Sequence, residues 1–252
     1  RFVDKIAPTW FVFENVYGLT KFKNGEENIQ NHIENRFRDI GYTVKSKILY
    51  ASDFGVPQRR NRLFIVGNRN GIDFEFPKEF DYSVSVDEAI SDLPVLGNGE
   101  IQMKGEYTVP FEQASPYAQL MRKKSKAPTQ NIVSRNKDYV VERYKYIGQG
   151  ENWSSIPDRL MENYADKKRC HSGIYKRLIG GKPSVVISNY RKSMLIHPHQ
   201  DRGLSVREAA RLQSFPDHFI FEGPVSYVQQ QIGNAVPPLL AKAVMKKILT
   251  YK

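Results

Sequence analysis

One carboxylate and two guanidinium groups stand beside predicted strands. Glu14 lies near the end of the apolar stretch Trp10–Val16, which is typical of a strand buried on both faces of a parallel sheet. Arg60 and Arg62 precede a second apolar strand, Leu63–Val66, and their spacing puts both side chains on the same side of it. Open α/β sheets bind ligands at the carboxyl ends of their strands. An acid and two permanently charged guanidinium groups placed there could hold a planar group that forms hydrogen bonds.

Hydrophobic periodicity predicts the elements that position these groups. Apolar residues at helical spacing before Gly41 predict a helix over about 25–40, because glycine commonly follows the last turn of a helix. Alternating apolar and polar residues then predict a strand over 42–50 with one more polar face. The order strand, helix, strand, strand indicates an α/β fold, the back half of a doubly wound, Rossmann-like sheet.

Helix start signals mark three later helices. Ser85–Glu88 is a capping box that opens a short helix ending before Pro94, and Ser205–Glu208 is a second capping box. Pro237 and Pro238 suit the first turn of a C-terminal helix with an inward apolar side.

Composition restricts the partners of the chain. Its 252 residues carry a net charge of +11, and residues 117–192 hold 17 Lys and Arg against 6 Asp and Glu, so this segment contains the whole excess. Such a concentration is expected of a surface that contacts phosphates, although a solvated basic face without function has the same composition. No apolar run is long enough to span a membrane and no signal peptide is visible. The single cysteine excludes an intrachain disulfide and cysteine-based metal sites, so we expect a cytoplasmic protein without a metal.

Several short motifs occur in an order that is informative as a set. Together they resemble the DNA cytosine-5 methyltransferase family and cover nearly the whole chain. They are Glu14-Asn15-Val16, Gln58-x-Arg60-x-Arg62, Arg177-Leu178 through Lys182-Pro183-Ser184 to Ile187, His197-Pro198 with Arg207 to Asp217, and Gln231 to Pro238.

The chain also departs from the family pattern. The family's Phe-x-Gly-x-Gly cofactor loop and catalytic Pro-Cys pair precede the Glu-Asn-Val motif, and this sequence contains neither. Residue 1 is Arg, so we expect the C-terminal portion of such an enzyme, or one subunit of a split enzyme, that needs the N-terminal half as partner. Cys170 is not expected to be the nucleophile, because it follows a run of cations rather than a proline at a strand end.

The resemblance implies roles for the charged residues. Glu14 matches the glutamate that steadies N3 of a flipped cytosine, Arg62 the residue that holds the cytosine carbonyl oxygen, and Arg60 the residue that braces the glutamate or a phosphate. A raised pKa in a water-poor pocket would suit Glu14 for this role. A structural pair of Glu and Arg linking two strands remains the alternative.

The resemblance also implies a cofactor, S-adenosylmethionine, and a cofactor-binding stretch. That stretch is Gly233, Asn234, Ala235 and Val236. The amide of Asn234 could serve a methionine carboxylate or, alternatively, cap the C-terminal helix.

Three regions are expected. They are 1–96, the second half of the catalytic α/β domain; 97–190, a smaller, irregular target-recognition domain that reads double-stranded DNA; and 191–252, a segment returning to the catalytic domain. The candidates for DNA binding are Arg122, Lys123, Lys124, Arg135, Lys137, Lys167, Lys168 and Arg169. Aromatic residues are interleaved with them, and they could stack on bases or form a local core: Tyr139, Tyr144, Tyr146 and Trp153. Two hypotheses follow: part of a methyltransferase of a restriction–modification system, or a non-catalytic DNA-binding protein, either a specificity subunit or a truncated relic.

Overall fold

Short helices and strands joined by long loops make up the chain in the computed structural model, which describes residues 1–162, 172–188, 190–192 and 194–251. The α-helices of these residues are α1 (Phe2–Ile6), α2 (Ile29–Asp39), α3 (Val86–Ile90), α4 (Pro116–Arg122), α5 (Asp138–Tyr144), α6 (Val206–Leu212), α7 (Val225–Asn234) and α8 (Pro238–Leu249). The strands are β1 (Trp10–Val16), β2 (Lys23–Asn24), β3 (Glu27–Asn28), β4 (Thr43–Tyr50), β5 (Asn61–Asn68), β6 (Ile101–Lys104) and β7 (Thr129–Ile132).

The main sheet has the strand order β1-β5-β4, and β5 runs antiparallel to both neighbours. The expectation that β1 is buried on both faces of a parallel sheet is therefore wrong. Among the described residues β1 pairs only with β5, and most of its side chains are half-buried. A short apolar run predicts a strand without specifying the direction of its neighbours.

Helices cover both faces of this sheet. Trp10 and Val12 point to the face covered by α8, whose Leu240 and Val244 are fully buried against it. Phe11 points to the opposite face, where its ring lies 4.3 Å from that of Phe37 on α2. A sheet packed between helices in this way confirms the α/β architecture predicted from the order of the elements.

Local signals located the later helices correctly. The capping boxes of Ser85 with Glu88 and of Ser205 with Glu208 both form, at the starts of α3 and α6. The helix predicted over about 25–40 is α2, and it begins later than predicted. Asn28 caps it by accepting a hydrogen bond from the Gln30 backbone at 2.8 Å. The preceding residues pair instead as the two-residue strands β2 and β3.

Two further apolar clusters lie outside the sheet. One joins α3, α4, α6 and α7, so that Tyr117 of α4 packs in the same cluster as Val86 of α3. The other is a small core of the basic segment, which includes Tyr144 and Tyr175 with Trp153 packed against it. Tyr144 and Trp153 thus serve the local core. The bounds 97–190 for a separate domain stay a prediction. No helix of the described ranges has the length and apolar character needed to cross a membrane.

Candidate active site

Glu14 and Arg62 form an ion pair across two neighbouring strands. Arg62 on β5 lies opposite Val16 on β1, and Glu14 is two residues before Val16, so both charged side chains project from the same face. Arg62 Nε lies 2.8 Å from Glu14 Oε1. The Arg62 side chain is buried, whereas 26% of the Glu14 side chain is exposed. The acid is therefore partly open to solvent, with a buried guanidinium beside it.

Burial sets the protonation of this pair. Burial raises the pKa of Glu14, and the guanidinium groups of Arg62 and Arg60 oppose the shift only in part. Burial likewise lowers the pKa of Arg62, while Glu14 raises it. A carboxyl with a raised pKa can carry a proton nearer to neutral pH than an exposed glutamate, so Glu14 can both donate and accept hydrogen bonds.

Arg60 connects the pair to two distant segments. Its guanidinium is buried and donates hydrogen bonds to the backbone oxygens of Ile187 at 3.1 Å and Gly233 at 2.7 Å. Burial, together with the nearby charge of Arg62, lowers the pKa of Arg60 to about 10. Both of these bonds go to backbone oxygens, and the influence of Arg60 on Glu14 is electrostatic.

Gln58 supplies a second connection that the sequence analysis did not assign. Its buried amide donates to the Leu212 backbone oxygen at 3.1 Å and to Gln213 Oε1 at 2.9 Å, and accepts from the Ile187 backbone at 2.9 Å. Gln213 in turn donates to the Ile232 oxygen at 2.6 Å. The sequence signal for this link is the place of Gln58 in the Gln58-x-Arg60-x-Arg62 motif, and the structure adds that its amide is buried and therefore requires partners.

The stretch 233–236 continues from the segment that Arg60 holds. Gly233 packs directly on the chain at Ser188, and a Cβ there would lie 1.8 Å from the Ser188 oxygen. Asn234 is exposed at the end of α7, and its side chain forms no hydrogen bond to any described residue. The alternative that Asn234 caps α8 is wrong, because Pro237 is the cap residue and the Ser214 hydroxyl accepts from the Leu239 backbone at 3.1 Å. The free donor and acceptor of Asn234 fit the polar end of a cofactor.

The structure corrects the assignment of Arg122 to DNA. Its guanidinium is buried, lies 3.8 Å from the centre of the Tyr107 ring, and donates to Asp92 at 3.4 Å and the Val109 oxygen at 3.2 Å. Arg122 therefore stabilises the interior and has no free face for phosphate.

The other DNA candidates differ in what the structure describes. Lys123, Lys124, Arg135 and Lys137 are exposed, so their charges are available to a polyanion. Lys167, Lys168 and Arg169 lie outside the described residues, as does Cys170. Tyr139 is also exposed, with the guanidinium of Arg143 at 4.9 Å from its ring centre. No group of His, Cys, Asp and Glu in the described ranges is arranged to hold a metal ion.

Buried arginines in or beside the motif segments have structural roles. Arg177 donates to the backbone oxygens of Tyr144 at 2.7 Å and His197 at 3.0 Å. Arg202 forms a bidentate pair with Glu208 at 2.6 and 2.9 Å. These bonds join loops to the end of α5 and to α6.

Comparisons with known proteins identify the family of the chain. The family model of C-5 cytosine-specific DNA methylases matches residues 1–250. The chain is 33% identical over 273 residues to the type II methyltransferase M.DdeI of Desulfomicrobium norvegicum, covering 100% of this chain and 65% of that protein. It is 34% identical over 251 residues to the type II methyltransferase M1.HphI of Haemophilus parahaemolyticus, covering 99% of this chain and 59% of that protein. The chain thus spans less than two thirds of the length of these relatives.

Solved structures share the fold. A DNA modification methyltransferase encoded within an E. coli prophage superposes with a TM-score of 0.70 at 24% identity, covering 99% of this chain and 71% of that one. The Entamoeba histolytica methyltransferase EhMeth superposes with a TM-score of 0.54 at 12% identity, covering 97% of this chain and 63% of that one. The sheet is therefore that of the Rossmann-like methyltransferase fold. With the family model matching almost its full length, the chain belongs to the C-5 cytosine-specific DNA methylase family.

Proposed function

We propose that this chain is the C-terminal portion of a type II DNA cytosine-5 methyltransferase, which acts in the cytoplasm on a cytosine flipped out of duplex DNA. The observation that carries the proposal is the contact of 2.8 Å between Arg62 Nε and Glu14 Oε1 on one face of the sheet. The raised pKa of Glu14 supports it, because the reaction needs an acid there.

The two side chains complement one edge of the base. Cytosine presents N3 and the neighbouring carbonyl oxygen as acceptors, so the edge requires two adjacent donors. A protonated Glu14 would donate to N3, and the Arg62 guanidinium would donate to the carbonyl oxygen. A proton held at N3 draws electrons from the ring and so favours addition of a thiolate at C6, after which C5 becomes nucleophilic.

The methyl group would come from S-adenosylmethionine, whose sulfonium makes the methyl carbon electrophilic. Of the described residues, Gly233, Asn234, Ala235 and Val236 would hold its polar end. Arg60 connects Gly233 with the charged pair, and would thereby keep the cofactor side and the base side of the cleft in register.

The thiol and the glycine-rich cofactor loop would come from an N-terminal half, either in the same chain or as a partner subunit. The open edge of β1 supports such a partner, since among the described residues it is paired on one side only. Exposed apolar side chains on β1 and in the segments that flank it in the sequence support it further, among them Val16, Phe2 and Phe22. An unpaired edge beside apolar surface is suited to addition of another strand.

Duplex DNA would be held mainly through its phosphates. Lys123, Lys124, Arg135 and Lys137 are the exposed candidates, and contacts of this type fix position without reading sequence.

The test is reconstitution with a subunit that supplies the cofactor loop and the Pro-Cys pair. Transfer of labelled methyl groups to duplex DNA is measured for the wild type, for Glu14→Gln and for the exposed control Glu112→Gln. Glu14→Gln should lower the rate about 100-fold or more, the usual contribution of a positioned acid, and leave duplex binding intact. The control should match the wild type.

Two results would reject the proposal. An unchanged rate in Glu14→Gln would remove the acid from the mechanism. A complete assembly that binds duplex DNA but transfers no methyl group would favour a DNA-binding or specificity subunit instead.

A further inference from the structure

A cleft lies at the opposite edge of the sheet from β1. It has a volume of about 490 Å³ and is bounded by the turn at Phe54–Gly55, by α4 and by α8. That turn follows β4, the outermost strand on this side. The lining includes neither Glu14 nor Arg62, so the cleft is separate from the proposed active site.

The floor of the cleft is apolar and held in place. Val84, Phe54 and Tyr117 are buried beneath it. The Tyr117 hydroxyl donates to the Arg211 backbone oxygen at 2.5 Å, and the Leu239 backbone donates to the Ser214 hydroxyl at 3.1 Å. These bonds fix α4 and the start of α8 on either side, so the cleft exists without a ligand.

Two aromatic rings form an exposed wall. Phe80 and Tyr82 stack with ring centres 5.3 Å apart and an interplanar angle of 14°. The Phe80 backbone N–H donates to the Asp53 backbone oxygen at 2.9 Å, which holds the two rings against the turn. Phe80 remains 46% exposed and Tyr82 58% exposed. Large flat apolar surface left open beside a cavity is typical of ligand-binding sites.

The rim of the cleft is positively charged. Lys242 and Lys246 lie one helical turn apart on α8, both exposed, and neither forms an ion pair with any described residue. The one carboxylate of the lining is Glu88. Its carboxylate already accepts from the Ser85 backbone at 2.8 Å and from the Ser85 hydroxyl at 2.6 Å. Two lysines against one carboxylate, whose oxygen is already bonded to Ser85, leave the lining of this apolar cleft with a net positive charge.

The geometry points to a binding site for a small amphipathic anion, a monocarboxylate with a medium-length alkyl chain. The alkyl chain of the ligand lies on the apolar floor between Leu239 and the stacked rings, and its carboxylate pairs with Lys242 and Lys246. The volume of the cleft falls in the range of about 300–1,000 Å³ that is common for small-molecule sites. Nothing in this assignment depends on the methyl-transfer reaction.

The test uses the 252-residue chain and isothermal titration calorimetry with decanoate below its micellar concentration. Decyltrimethylammonium, with the same alkyl chain and the opposite charge, is the matched ligand. Lys242→Ala combined with Lys246→Ala removes the rim charge, and Lys104→Ala combined with Lys126→Ala removes two exposed lysines elsewhere. Ala243→Trp fills the cleft, and Tyr82→Ser at the exposed wall serves as a second variant that does not disturb the core.

Decanoate should bind in a 1:1 ratio and more tightly than the cationic analogue. The Lys242 and Lys246 double variant should bind it about tenfold more weakly, because each exposed ion pair contributes a factor of about two to five. Tyr82→Ser and Ala243→Trp should also weaken binding, and the Lys104 and Lys126 variant should not. Absence of binding, equal affinity for both ligands, or full affinity in the rim or wall variants would overturn the assignment.

Discussion

Replacement of Arg211 by methionine should destabilise the chain severely. Arg211 on α6 is completely buried and contacts Asp217 at 2.6 and 2.7 Å and Asp92 at 2.9 and 3.3 Å. It also donates to the Ala89 oxygen at 2.9 Å, which joins α6 to α3. Burial alone would lower the pKa of Arg211, but Asp217 and Asp92 outweigh it and raise the pKa.

The magnitude follows from the charges that would be left behind. In Arg211→Met the two buried carboxylates lose the cation that they share. Asp92 keeps a contact with Arg122 at 3.4 Å, and Asp217 keeps a hydrogen bond from the Tyr107 hydroxyl at 2.6 Å and the more distant charge of Arg207. Removing one partner of a buried ion pair costs about 3–5 kcal/mol, because the other charge stays desolvated. Since a domain is stable by only about 5–15 kcal/mol, we expect a loss of about 4 kcal/mol, a large part of the total.

The assay is urea unfolding followed by circular dichroism, with Arg36→Met on the exposed side of α2 as the control. The triple change of Arg211→Met, Asp92→Asn and Asp217→Asn should recover part of the loss, because it removes the stranded charges as well. A loss below about 1 kcal/mol in Arg211→Met would refute the reasoning, since it would mean that the carboxylates are solvated or protonated at little cost.

Three further outcomes are expected. Gly233→Ala should lower the free energy of unfolding by about 3 kcal/mol in the same urea assay, since the new Cβ meets the Ser188 oxygen at 1.8 Å, whereas Gly181→Ala, with open space around it, should be neutral. Acid should destabilise the chain in two steps. Burial lowers the pKa of His197 to about 4, so the stability that neutral His197 contributes is lost as the pH falls from 6.5 towards 4. The free energy of unfolding should fall by about 1.4 kcal/mol per pH unit in this range. His197→Gln should remove this pH dependence, and the exposed control His218→Gln should not. Burial raises the pKa of Glu208, but Arg202 outweighs it and lowers the pKa to about 2, so a second loss should follow between pH 4.5 and 2. Finally, Lys123→Ala with Lys124→Ala should reduce the salt dependence of duplex binding by about two phosphate contacts, while the Lys242 and Lys246 double variant should not, as read from binding isotherms at several salt concentrations.

Local chemistry made much of the fold predictable. Both capping boxes form because the Ser–Glu spacing satisfies backbone donors within one turn, without help from distant residues. The predicted end of α2 just before Gly41 is confirmed for a similarly local reason, since the φ of +88° at Gly41 suits glycine. The antiparallel pairing of β5 depends on long-range contacts that hydrophobic spacing does not encode.

The number of basic residues in a segment predicted its phosphate-binding residues less reliably than residue spacing predicted the starts of the helices. Three arginines of the basic segment, Arg122, Arg143 and Arg177, are buried and bonded inside the protein. Their charges contribute to the net excess but are not presented to a ligand. A basic composition therefore overstates the phosphate-binding surface wherever arginine is used to satisfy buried carbonyl groups, and exposure has to be known before residues can be assigned.

The charged pair could be predicted from the sequence because a strand end and a two-residue spacing fix where side chains point. Its supports could not, because Ile187 and Gly233 are far from Arg60 in the chain and meet it only in the fold. Gln58 and Arg60 together bind both returning segments to the strand that carries Arg62. A shift of either segment would break these bonds and expose buried donors, which is costly. The geometry of the charged pair therefore depends on Gln58 and Arg60, which hold the segments around it, and a site rebuilt from Glu14 and Arg62 alone would lack that support.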